Sequence, residues 1–154
     1  MSEKTRGLFV LVAAVALSAA AYFGARYWQT SQSDYTRVEA QHLCNLRAGP
    51  CREPVPGGGV VFAIAPESIP LMKPLRLIVS AQGLEPTAVV VEIRGLNMEM
   101  GLNRTVLNKS ADGMWEGETI LPVCSQKRME WEAAVLLEAN QRLEVPFAFH
   151  TVRP

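Results

Sequence analysis

From Val60 to Phe149 the chain alternates apolar and polar residues in short runs. A period of two suits strands with one buried face and does not suit a helix. Val60, Phe62 and Ile64 alternate first, then Leu75, Leu77 and Val79, then Val89, Val91 and Ile93. A weaker run spans Arg104 to Asn108, and a fifth spans Met114 to Leu121. Trp131, Ala133, Val135 and Leu137 mark the sixth, and Leu143, Val145, Phe147 and Phe149 the seventh. Turn residues separate them: Pro70 with Pro74, Gly83 to Pro86, Gly95 to Gly101, Asp112-Gly113, Pro122 to Lys127, and Asn140-Gln141. Seven short strands at this spacing predict an all-β, immunoglobulin-like sandwich, with Trp131 as a core anchor.

The N-terminus predicts a different element. Gly7 to Gly24 carries no charge, and eighteen such residues are about the minimum for crossing a bilayer core. Lys4 and Arg6 precede the run, which places the N-terminus in the cytoplasm under the positive-inside rule. Tyr22, Phe23, Tyr27 and Trp28 suit the far interface. The expected fold is therefore a seven-stranded sandwich preceded by one transmembrane helix. Its localisation is the inner membrane, single-pass, with the C-terminal domain in the periplasm. A cleavable signal peptide is the alternative, because Ser18 to Ala21 supplies small residues. The division read from this is 1–28 anchor, 29–58 linker, and 59–154 sandwich.

Of the 154 residues, Lys and Arg number 15, as do Asp and Glu. No basic face points to nucleic acid. The only histidines are His42 and His150, and no Ser-His-Asp, HExxH or Cys-x-x-Cys arrangement occurs. The chain is read as non-enzymatic.

Soft donors carry the remaining chemical signal. Met98 and Met100 sit in a Gly-bounded loop, Cys124 lies in the Pro122–Ser125 turn, and Met129 follows it. In an antiparallel sandwich successive loops alternate ends, so loops one, three and five share a pole. Met72 and His150 fall at that pole too. Thioether and thiolate sulfur favour Cu(I) over hard cations. Met98, Met100, Cys124 and Met129 are therefore the candidate metal ligands. The competing view is that these methionines fill an irregular core. Met72 then packs and His150 is an ordinary surface or edge histidine. Met114 falls at the opposite pole.

Three cysteines leave one over. Cys44 and Cys51 have Gly49-Pro50 turning the chain between them, which favours a Cys44–Cys51 disulfide with Cys124 free. A bridge from Cys124 to Cys44 or Cys51 is the alternative.

A Met loop after the third strand (Met98-Glu99-Met100-Gly101) precedes a turn into the fifth, Asp112-Gly113-Met114-Trp115-Glu116-Gly117. With the N-terminal apolar run, this resembles the YtkA-like and FixH-like families over roughly Gly59 to Thr151. The resemblance implies an exported accessory protein for copper handling or cytochrome oxidase assembly, with Met98 and Met100 carried over. The chain lacks a His beside the Met loop and adds three Cys. Two functions follow as expectations. One is a membrane-anchored Cu(I) carrier with a membrane-protein partner. The other is a metal-free interaction module, or a subunit of an inner-membrane complex.

Overall fold

The structure, a computed structural model, describes residues 3–31, 35–40 and 44–153. The chain divides into two compact units, 1–34 and 35–154. The first contains α1 (Glu3–Ser31). Within it the side chains of Gly7 and of 12–26 are described, and all are exposed.

Among the described residues no helix is long and apolar enough to cross a membrane. The side chains of 8–11, and of Lys4, Arg6, Tyr27 and Trp28, lie outside the described residues. The expected transmembrane anchor, the single-pass inner-membrane topology and the membrane-protein partner reached through it are corrected accordingly.

The second unit is built from nine strands: β1 (Thr36–Arg37), β2 (Cys51–Val55), β3 (Gly58–Ala65), β4 (Pro74–Gln82), β5 (Ala88–Gly95), β6 (Asn103–Lys109), β7 (Trp115–Ile120), β8 (Arg128–Glu138) and β9 (Arg142–Val152). They form one mixed sheet in the order β1-β9-β8-β5-β6-β7-β4-β3-β2. The expected seven-stranded immunoglobulin-like sandwich is therefore replaced by a single nine-stranded sheet curled into an open half-barrel. The seven alternating runs are strands β3 to β9. What differs is their joining, because β6 pairs with neighbours on both sides and leaves no break between two sheets.

The curl is made at β6 and β7. β6 pairs with β5 over five residues, Asn103 to Leu107, but with β7 only at Asn108 and Lys109. Gly117 permits the tight approach beyond that short ladder. A Cβ there would lie 2.5 Å from Leu107 Cδ2 and 3.0 Å from Thr105 Cγ2. The inner faces then meet. Phe62 on β3 and Phe147 on β9 touch across the core with ring centroids 5.3 Å apart. Trp131 is 1% exposed, stacks on Phe149, and donates its indole N–H to Thr151 Oγ1 at 2.8 Å. A buried indole needs such a partner, since an unmet donor costs about 1–3 kcal/mol.

The two edges of the sheet, β1 and β2, are consecutive in the chain. The connection between them therefore passes from one edge of the half-barrel to the other. It carries Leu46, which is 1% exposed within the core, and Cys44 is bonded to Cys51. Val38 N–H extends the parallel β1–β9 pairing by donating to Glu144 C=O at 2.8 Å.

β1 is only two residues long, and charge holds it in place. Arg37 pairs with Glu132 on β8 at 2.6 Å and with Glu144 on β9. Arg94 on β5 pairs with the same two carboxylates, through Nε to Glu132 at 2.8 Å and through Nη2 to Glu144 at 3.1 Å. Burial of Glu132 opposes its ionisation. Hydrogen bonds and positive charge from Arg37 and Arg94 outweigh that, so its carboxyl titrates below the usual range. A carboxylate whose folded pKa is depressed stabilises the fold above its unfolded pKa, about 4.3. That contribution is lost as pH falls through the lower folded value. E132Q should melt below wild type at pH 7, and the gap should close as pH falls below about 4. Thermal melts at several pH values check this; a gap that persists unchanged at low pH would show that packing rather than charge is at stake.

Candidate functional site

Three loops meet at one pole of the half-barrel: 66–73 after β3, 96–102 after β5, and 121–127 after β7. Met72 N–H donates to Leu121 C=O at 2.9 Å, and Leu96 N–H donates to Glu130 C=O at 2.8 Å. Asn97 secures the second loop from both sides. Its amide donates to Arg128 C=O and its carbonyl accepts from Glu130 N–H, each at 3.0 Å. Asn103 ties the foot of β6 to Ile120 C=O at 3.0 Å and accepts from the Thr119 hydroxyl at 2.9 Å.

The sulfur residues singled out in the sequence lie together at this pole. Cys124 Sγ is 3.3 Å from Met100 Sδ, and Ser125 Oγ is 3.9 Å from Met98 Sδ. Gly95 makes room for them, because a Cβ at that position would meet Met98 O at 2.4 Å, Met129 Cε at 3.2 Å and Met100 Cγ at 3.3 Å. Met129 and Cys124 are buried in the core, with Met98 and Met100 half-buried against it. Met72 is 63% exposed and is not part of the buried group. His150 pairs across from Glu130 on the neighbouring strand. His42 lies outside the described residues.

This arrangement does not fit copper. Burial pushes the Cys124 thiol up, away from the thiolate a metal would need. The thiol instead donates to the Met100 thioether. Among the described residues no group of three or more His, Cys, Asp or Glu could hold a metal ion. The Cu(I) site expected at Met98, Met100, Cys124 and Met129 is corrected to a packed sulfur bed, and the copper-carrier function falls with it. Cys124 should therefore react with iodoacetamide at least tenfold more slowly in the native protein than in urea. Equal rates would mean that the thiol is open.

What sits above the sulfur bed escaped the sequence reading. Met72, Leu96, Leu102, Ile120 and Val123 are all about half exposed or more, and they come from the three loops and the strand ends beneath them. Backbone strain helps to present them. Ile69 and Met72 have φ of 44° and 57°, in the left-handed region that β-branched and bulky side chains avoid. Ile69 is 2% exposed, and its N–H donates to Pro66 C=O at 2.9 Å. The buried Ile69 anchors the loop while Met72 is carried outward. Strain of this kind costs of order 1–3 kcal/mol per residue and gathers at ligand clamps and switch regions.

At the other pole a cleft of about 780 Å³ opens between the β2–β3, β4–β5 and β8–β9 turns. Glu85, Asn140 and Gln141 line it, together with Leu84 and Leu143. It gathers no nucleophile and no acid–base pair among the described residues.

No family model matches the chain, and no curated protein matches it. Among solved structures, it is similar to a DUF4426 family protein from Pseudomonas aeruginosa PAO1. Identity is 11%, the match covers 69% of this chain and 95% of that one, and the TM-score is 0.43. The resemblance to YtkA-like and FixH-like proteins does not hold: no family model matches the chain, and its strands form one curled nine-stranded sheet rather than a sandwich.

Proposed function

We propose that the 35–154 unit is a metal-free, non-catalytic interaction module that docks a partner on the apolar pole above the sulfur bed. The exposed cluster of Met72, Leu102, Ile120 and Val123 carries this reading. Large apolar side chains scattered singly over a surface need no explanation, whereas a contiguous group marks an interaction site. Hydrogen bonds bring the segments that carry these side chains together: Met72 N–H bonds Leu121 C=O, and Asn103, next to Leu102, bonds Ile120 C=O. Methionine adds to the case, since its unbranched, polarisable side chain adapts to a partner surface. The Cys44–Cys51 bridge is in keeping with a domain that matures under oxidising conditions.

The test is site-specific photo-crosslinking in cells, with the crosslinker placed at Leu102 or, as a control, at Gln141 on the opposite pole. A discrete adduct is expected from position 102 alone, lost when Met72→Ser and Val123→Ser are added. Adducts of equal yield from both positions, or persistence in the double variant, would sink the docking reading.

A further inference from the structure

Resting on the docking reading, we infer that the partner presents an amphipathic helical segment, apolar on one side and acidic along one flank. The apolar pole is bordered unevenly. Where the 121–127 loop runs into β8, Arg153 N–H donates to Lys127 C=O at 2.9 Å. The Arg153 guanidinium donates to Cys124 C=O at 3.4 Å, and Arg128 lies opposite Val152 in the ladder. Three exposed cations thus form a ridge beside Val123. Arg128 alone is paired, with Glu130 at 2.6 Å. Lys127 and Arg153 make no ion pair among the described residues, and neither does Lys73 next to Met72. The pole's other carboxylates, Glu67 and Glu99, sit on the 66–73 and 96–102 loops. The excess of positive charge is therefore one-sided, and it fixes which flank of the occupant carries the carboxylates.

Backbone geometry selects a helix over an added strand. Strand addition needs a free sheet edge. The edges of the sheet are β1 and β2, whereas the patch is built from the loops after β3, β5 and β7 and the strand ends beneath them. Without a sheet edge to extend, recognition through apolar side chains suits a helix laid apolar side down. Charge around the rim then sets orientation and on-rate more than total affinity.

The experiment uses the full chain and two synthetic helical peptides. Both carry a leucine face; one has glutamates along a single flank and the other has lysines at the same positions. Fluorescence anisotropy should show the acidic peptide binding at least tenfold tighter at low salt. The preference should shrink as salt rises and reverse in Lys127→Glu/Arg153→Glu. Leu102→Ser/Val123→Ser should weaken both peptides while leaving the melting temperature unchanged. Equal binding of the two peptides, or a preference unmoved by charge reversal, would overturn the acidic flank and leave apolar docking standing. Binding of neither, with crosslinking from position 102 intact, would overturn the amphipathic helix alone. Acidic-peptide binding that ignores Leu102→Ser/Val123→Ser would overturn both readings.

Discussion

Trp131→Ala is expected to lower the free energy of unfolding by about 3–5 kcal/mol, the usual range for removing a buried tryptophan. The indole is 1% exposed on β8, the strand flanked by β5 and β9. Removing it takes away the stack on Phe149, whose ring centroid is 6.4 Å away. It also leaves the buried Thr151 hydroxyl without its 2.8 Å donor. β8 and β9 pair along their full length, from Arg128 with Val152 to Glu138 with Arg142, so the ladder resists collapse into the vacated space. Trp131→Phe separates the terms. It keeps much of the apolar volume and loses the indole N–H, so about 1–3 kcal/mol is expected. Urea unfolding followed by far-ultraviolet circular dichroism measures both, independently of tryptophan emission. A cost below about 1 kcal/mol for the alanine variant would mean that the core closes around the gap.

Trp131 was legible in the sequence because it sits in an alternating run with one face buried. The same holds for Val60 to Ile64 and for Leu143 to Phe149. β2 hid for a chemical reason. Its burial alternates, but one buried position is Glu53, at 1% exposure, and an exposed one is Pro54. An apolar alternation cannot be read through a carboxylate facing inward. β1 hid because two exposed residues make no pattern; charge pairs and parallel pairing with β9 hold it in place. The sandwich expectation failed at one joint, the two-residue ladder between β6 and β7, which turns two sheets into one. At the candidate site the positions of the sulfur residues follow from alternating strand ends, and their chemistry does not. Nothing in the spacing of Met98, Met100 and Cys124 reveals that the thiol is buried and bonded to a thioether. The exposed patch was missed because Met72, Leu102 and Val123 lie in loops, where no periodicity points to a face.

Loss of the Cys44–Cys51 bridge should cost about 2–3 kcal/mol, the chain-entropy value for so small a loop. The two cysteines are seven positions apart in sequence. Position adds to the effect of loop size. The bridge fixes the segment that connects the two edges of the sheet and holds Leu46 against the core. Cys51 lies opposite Phe62, so the bridge also ties that segment to the middle of β3. The Cys44→Ala/Cys51→Ala variant should therefore unfold at a lower urea midpoint, with a slope no shallower than wild type, since the uncrosslinked chain is the less compact when unfolded. Wild-type protein held in a dithiol reductant should match it, and the variant should not respond to the reductant. Leu46→Ala in the oxidised protein tests the packing half of the argument, with about 2–4 kcal/mol expected for a buried leucine. If the bridge serves to hold Leu46 in place, Leu46→Ala should cost less in the cysteine-free variant than in the oxidised protein. Equal costs in the two backgrounds would show that Leu46 keeps its place without the bridge, and that the disulfide acts on the unfolded chain alone.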